Sequence, residues 1–381
     1  MKKIVPTEQG YPVGLLFSTE SLTSPVENTQ RQGSLLAIEE VNAAGGIHGQ
    51  PLVPVTLSIG SQPEDYHAAA QQCIDQHGVQ VLFGTHTSNA RKAVLPLIEN
   101  RHALLFYSTL YEGFEYSPNC IYTGAAPNQN IVQLAEYVIT HYGKRVMFIG
   151  NNYVYAHESN RIMKELFESV EGELVECFYY PFGSKREQFL QAMRVAEKLQ
   201  PDAIYSTVVG TDTIELYEAF AQSSLNSATT PIISVATNET DVQGMSSSAA
   251  AGHLVCAPYF SSLETKQSQQ FVTRFQARFG KDAIVTAGAE ASYFQVHLFA
   301  KAANMVQNLT INHIIDTMPN VSYLAPQGEV RIDASTNHTY LASRIAKISA
   351  VGQFDIIHQQ DHVIQPIPYM LQYSTQNILA Q

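Results

Sequence analysis

The sequence predicts an α/β protein made of two doubly wound parallel-sheet lobes with a ligand cleft between them. Three observations predict it. At 381 residues the chain is too long for one ordinary hydrophobic core. Short apolar strands alternate with helical segments through the first half, and the alternation begins again after about residue 125. No low-complexity linker separates the halves, as expected of lobes joined by short strand-like crossings.

In the first half, Val13–Phe17 is a short apolar run. Thr29–Ala44 then places Leu35, Ile38 and Val41 at helical spacing, and Gly45-Gly46 stops that helix with residues that accept positive φ. Leu52–Ser58, Val79–Phe83 and Ala103–Phe106 read as strands, and His67–Gln76 and Asn89–Asn100 as helices. Such alternation implies right-handed crossovers and a parallel sheet covered on both faces. The second series takes Gln129–Tyr142, Asn160–Val170, Glu187–Leu199 and Thr211–Gln222 as helices. Its strands are Val146–Gly150, Leu174–Tyr180, Ala203–Thr207 and Ile232–Ala236. Helices follow at Ser268–Phe279 and Ala287–Val306. The tail reads as antiparallel strands at Gly328–Asp333, Ser343–Ile348 and Phe354–His358. The expected division is 11–124 plus 258–335 for the N-terminal lobe and 125–257 plus 336–373 for the C-terminal lobe.

Apolar residues make up 45% of the chain and charged residues 15%, which places it among well-buried globular proteins. A formal charge of −12 argues against nucleic acid or an anionic membrane surface as a direct partner. Arg91-Lys92 and Lys144-Arg145 are isolated pairs, not a basic patch, and no apolar stretch is long enough to span a bilayer. Met1-Lys2-Lys3-Ile4-Val5 runs at once into Pro6, Glu8 and Gly10, which leaves no apolar export-signal region. A cytoplasmic protein is therefore expected; a periplasmic one from which a signal was removed is the alternative. Cys73, Cys120, Cys177 and Cys256 lie far apart without a CxxC pair and read as reduced core residues.

Catalytic signatures are missing: there is no GxSxG elbow, P-loop, HExxH or strand-following GxGxxG. His358, Asp361 and His362 have metal-like spacing, but they fall in an expected polar turn of the tail and read as solvated side chains. No catalytic residue, metal or cofactor is expected. What stands out is hydroxyls and aromatics at strand ends, where open α/β sheets bind ligands. The segments are Gly84–Ser88, Tyr107-Ser108-Thr109, Asn152–Tyr155 and Thr207–Thr211. Ser88 reads both as the N-cap of a helix beginning at Asn89 and as a residue whose helix turns free N–H groups toward a ligand. Tyr153 and Tyr155, two apart, share a side if the backbone is extended; packing between the lobes explains them equally well.

At these segments the sequence resembles type I periplasmic-binding proteins, and within them the amide receptors that regulate aliphatic amidase expression. The likeness runs from about residue 11 to about 370. It is carried by Gly14–Ser18, Asn42–Gly46 with Gly49, Arg91–Val94, Tyr111–Asn119, Ala126–Asn130, Ser206–Thr211, Ala257–Ser262 and Ala325–Gly328. The resemblance implies an amide held between the lobes by Ser88, Tyr107 and Thr109 from one side and by Tyr153, Tyr155, Thr207 and Val208 from the other. His86 stands where the relatives carry an aromatic, which makes that wall smaller and more polar. Urea receptors of ABC transporters share much of the pattern, including a glutamate matching Glu239, which also keeps amino-acid ligands open. Hydroxyls and backbone groups satisfy a neutral primary amide, and no buried charge is expected at the site apart from Glu239. The resemblance further implies a negative regulator that holds an RNA-binding antiterminator until amide releases it. The alternative is the substrate-binding receptor of a urea, short-amide or branched-chain amino-acid ABC transporter. Self-association is left open.

Overall fold

The computed structural model describes residues 3–369. The first lobe is built from β1 (Tyr11–Leu16), α1 (Ser24–Ala43), β2 (Leu52–Thr56), α2 (Pro63–His77), β3 (Val81–Gly84), α3 (Ser88–Arg101), β4 (Leu104–Tyr107) and β5 (Cys120–Tyr122). Its sheet has the order β2-β1-β3-β4-β5, and every pairing is parallel. β1, β3 and β4 are buried along their whole length, which is why they read as continuous apolar runs.

The second lobe follows with α4 (Pro127–His141), β6 (Arg145–Asn151), α5 (Val154–Glu168), β7 (Glu173–Tyr180), α6 (Arg186–Leu199), β8 (Ala203–Thr207) and α7 (Thr211–Ala221). It continues through β9 (Ile232–Ser234), α8 (Glu239–Gln243), α9 (Ser247–Ala250) and β10 (Leu254–Ala257). The parallel part of its sheet, β7-β6-β8-β9-β10, repeats the order of the first. In both lobes the order reverses beside the first strand, so both crevices at the strands' carboxyl ends are of the ligand-binding kind.

The chain then returns. α10 (Lys266–Phe279), α11 (Ala287–Met305) and α12 (Ile311–Thr317), with β11 (Ser322–Ala325), β12 (Gly328–Ile332) and β13 (Thr339–Tyr340), complete the first lobe's core. β14 (Arg344–Ile348) and β15 (Phe354–Gln359) extend the second sheet, antiparallel to β10 and to each other. The lobes are thus joined at 123–126, 258–265 and 341–343.

Several expectations need correction. The strand at 328–332 does not join those at 344–348 and 354–359; it forms a separate sheet with β11 and β13 on the first lobe. β13 still belongs there, so the last crossing falls a few residues beyond 335, and 370–373 of the expected second lobe lie outside the described residues. α5 begins at Val154, not Asn160: its buried face carries Tyr155, Ser159 and Asn160, polar residues that hid the apolar period. β5, α12 and β11 are too short to show a period of their own. His358 lies on β15 rather than in a turn, and it and His362 are exposed.

α1 and α11 meet backbone to backbone at Gly33, where an added Cβ would stand 2.2 Å from the Ala289 carbonyl oxygen. Gly33→Ala gains helix propensity of about 1 kcal/mol, but it drives the helices apart. The expected net result is a loss of about 1–3 kcal/mol, read as a lower melting temperature. A variant that melts at or above the parent temperature would contradict this packing.

Candidate functional site

Loops from the carboxyl ends of strands in both sheets converge on a cavity of about 110 Å³ between the lobes. The first lobe contributes Gln30 from α1, His86, Thr87 and Ser88 from the β3–α3 turn, and Tyr107, Ser108 and Thr109 from the end of β4. The second contributes Tyr153, Tyr155, Val209, Gly210 and Glu239, and α11 adds Glu290.

The β3–α3 turn is shifted by one residue from the expected cap. Thr87 holds the extended backbone of the capping position, and its hydroxyl accepts from the Ala90 N–H at 3.2 Å. Thr and Ser are equally good caps, so spacing could not separate them. Ser88 is left free as the first helical residue, and its Oγ donates to Glu112 Oε2 at 2.7 Å. The other oxygen of Glu112 accepts from Arg91 Nη2 at 2.6 Å, and both side chains are fully buried. Arg91 also reaches Glu115 at 2.6 Å and lies over the Tyr107 ring, 4.5 Å from its centre.

His86 is set by a second network. The Thr109 hydroxyl donates to the Thr85 carbonyl at 3.4 Å and so accepts from Gln30 Nε2 at 3.1 Å. Gln30 Nε2 also reaches Ser108 Oγ at 3.1 Å. Gln30 Oε1 therefore takes the proton of His86 Nδ1, 2.7 Å away. Burial lowers the His86 pKa below the ordinary imidazole value, so the ring is neutral and its Nε2 is an acceptor. The single proton of the Tyr107 hydroxyl is shared between the carbonyls of His86 (2.9 Å) and Leu110 (3.2 Å), which braces the two loops.

Across the cleft, Tyr153 is the extended residue before α5 and Tyr155 lies in the helix's first turn, with ring centres 6.0 Å apart. They share the cavity because a helix begins between them, not because the segment is a strand. Burial keeps both phenols well above their ordinary pKa, hence protonated. The Tyr155 hydroxyl is fully buried and turned toward Ser159 in the second lobe's core, so the phenol left to face the cavity is that of Tyr153.

Thr207 and Val208 do not line the cavity. Thr207 is the last residue of β8, turned to Asn160 Oδ1 at 3.2 Å, and Val208 packs in the second lobe's core. The wall from this strand end is Val209 and Gly210, because the strand runs to its last expected residue before the turn opens. Gly210 has φ +63°, and an added Cβ would lie 2.5 Å from the carbonyl oxygen of Leu22 in the first lobe. The Thr211 N–H reaches that oxygen at 3.4 Å, so the lobes are closed on each other here.

The wall holds more carboxyl groups than expected. Glu239 opens α8 and accepts from the Ser261 N–H at 3.2 Å; burial raises it to about 7. Glu290 accepts from Gln327 through its N–H (3.1 Å) and Nε2 (2.8 Å), and burial raises it to about 8. The cavity wall is mostly apolar and carries a few polar groups; at neutral pH Glu290 is mainly protonated and Glu239 about half ionised. Glu290, Gln30 and Glu112 had no local signal in the sequence: Glu290 reads as an ordinary first-turn acid of α11, Gln30 lies inside α1, and Glu112 acts from beneath the wall.

The chain matches the family described as periplasmic binding protein domain over residues 11–375 and belongs to that family. It is 20% identical to Leu/Ile/Val-binding protein homolog 6 of Brucella melitensis, covering 73% of this chain and 72% of that one. A 124-residue stretch, 32% of the chain, is 30% identical to limonene hydroxylase of Geobacillus stearothermophilus, of whose length this chain spans 22%. Among solved structures it resembles the solute-binding protein of an ABC transporter from Rhodopseudomonas palustris BisB5, in complex with 3,4-dihydroxybenzoic acid. That match has a TM-score of 0.83 and 19% identity and covers 93% of this chain and 98% of the other. The family and this neighbour are binding proteins, of the two-lobed fold seen here.

Tyr153→Phe removes a phenol hydroxyl at the cavity wall and keeps the ring, so melting without ligand should change little. Affinity for a ligand that accepts from that hydroxyl should fall by about 1–3 kcal/mol. A variant that melts lower and binds as before would show that the hydroxyl serves the fold.

Stability should also depend on pH in a defined way. Glu239, Asp241 and Glu290 are raised to about 7, 8 and 8, so their contribution is complete at low pH and is lost as pH rises through those values. The buried histidines His253 and His338 are pushed down to about 3, and their contribution is lost as pH falls from about 6.5 toward 3. The two sets oppose each other between about pH 4.5 and 6.5, and only the carboxyls titrate from there to about 8. With three carboxyls set against two histidines, melting temperature should fall gently over the first interval and more steeply over the second. A rise between pH 6.5 and 8 would contradict these assignments.

Proposed function

We propose that this chain is a substrate-binding receptor that closes over one short uncharged amide, of the size of acetamide or urea. The observation that carries the reading is the small cavity of about 110 Å³ between the lobes, whose mostly apolar wall carries a few hydrogen-bonding groups. An engineered cavity of about 150 Å³ holds benzene. By that measure this one holds about four or five heavy atoms, the size of acetamide, urea or propionamide. Leucine, isoleucine and dihydroxybenzoic acid are about twice as large. A zwitterionic amino acid also needs full charges opposite its ends, and the raised pKa values of Glu239 and Glu290 disfavour that.

Two settings suit such a receptor. The relatives named above support delivery of the ligand to an ABC transporter, a setting in which the protein would work outside the cytoplasm. The runs Gly113–Asn119 and Ser206–Thr211 support the other setting, an amide sensor in the cytoplasm that holds an antiterminator and so restrains amidase expression. In the structure the first run sits at the cleft mouth: Glu115 pairs with Arg91, and the half-exposed Phe114 ring lies 4.9 Å from Arg161 of the second lobe. A partner bound there would feel closure.

Calorimetric titration with acetamide, propionamide, urea, isoleucine and 4-hydroxybenzoate tests the ligand class. A four-atom ligand gains at most about 6 kcal/mol, so acetamide should bind no tighter than about 40 μM, and the two larger ligands should give no heat. Binding of isoleucine with no response to any short amide would reject the proposal. An antiterminator retained on the immobilised protein and eluted by acetamide would favour the sensor over the transport receptor.

A further inference from the structure

We infer that Glu112, which lies behind the cavity wall, is a specificity-determining residue: it takes the Ser88 proton and so makes Ser88 an obligate hydrogen-bond acceptor toward the ligand. The inference rests on the amide reading above and gives it a mechanism. A serine hydroxyl has one proton and two lone pairs. Glu112 Oε2 lies 2.7 Å from Ser88 Oγ and holds that proton. It cannot reverse the bond, because the buried Arg91 guanidinium requires a negative partner and Glu112 Oε1 provides it at 2.6 Å, with Lys92 Nζ 3.6 Å away. A carboxylate so held only accepts. What Ser88 offers the cavity is therefore lone pairs.

His86 is fixed in the same sense through Gln30, with Nε2 left as an acceptor. Two acceptors on one wall select a group with two N–H bonds and repel a carbonyl or carboxylate oxygen. The protonated phenol of Tyr153, on the opposite lobe, lines the cavity and offers the donor that a carbonyl oxygen needs. This arrangement distinguishes an amide from the acid of the same shape, the discrimination a receptor must make when the corresponding carboxylate is also present.

The test compares acetamide with acetone, which keeps the carbonyl but replaces NH2 by CH3, in the parent protein and in Glu112→Gln. In the variant Arg91 keeps the amide oxygen, so the new NH2 faces Ser88 and releases the Ser88 proton to the ligand. The ratio of acetamide to acetone affinity should fall at least about tenfold, with acetate binding gained or unchanged. A residue that merely supported the fold would weaken both ligands alike, and an unchanged ratio would overturn the inference. Glu115 still faces Arg91, which favours folding of the variant. If it does not fold, Ser88→Ala decides: loss of acetamide affinity with acetone affinity kept supports an accepting Ser88, and equal loss of both overturns it. A parent protein that binds no short amide rejects the function proposed above; a parent that binds acetamide with a ratio indifferent to these variants rejects only the role of Glu112.

Discussion

The site depends on one buried ion pair. Arg91 comes from the first turn of α3 and Glu112 from the loop after β4, and both are fully buried. Removing one partner of such a pair leaves an uncompensated charge and costs several kcal/mol, so the two are bound to persist together. From that pair the geometry spreads in three directions. Through Glu112 it fixes Ser88 on the cavity wall; through the face of the Tyr107 ring it anchors the end of β4; through Glu115 it holds the loop that carries Phe114 to the second lobe. A charge cluster that never touches the ligand thus orients one wall of the cavity and ties it to a contact that exists only when the lobes meet.

That link bears on how the four-atom amide proposed above could close a protein of this size. Its binding energy is small, so closure must tip two states that are already nearly balanced. The contacts made across the cleft are correspondingly modest. They include the 3.4 Å approach of the Thr211 N–H to the Leu22 oxygen and the stacking of Arg161 on Phe114. Gly210 permits the first, since any side chain there would meet the opposite lobe.

Much of this was legible in the sequence. The alternation of elements specified both sheets and their parallel sense, because strands buried on both faces must read as apolar runs. The strand-end rule found His86, Ser88, Tyr107, Thr109, Tyr153 and Tyr155, and the glutamate at 239 was read from resemblance. It failed at Thr207 and Val208, where a shift of two residues along a turn exchanges wall for core, and at Ser88, where two adjacent capping residues compete for one position. Gln30, Glu112 and Glu290 were illegible for another reason. They reach the site through tertiary packing across 24 or more residues, and no local period records such a contact.

The central claim is that the closed cavity reads a short amide by its two ends, N–H toward Ser88 and His86 and the carbonyl toward the second lobe. A crystal structure with thioacetamide tests it most directly, because the sulfur's anomalous signal marks the carbonyl end where ordinary density cannot tell nitrogen from oxygen. The account predicts one anomalous peak on the Tyr153 side of the cavity, with the ligand nitrogen within hydrogen-bond reach of Ser88 Oγ. A sulfur peak beside Ser88 and His86 would contradict it.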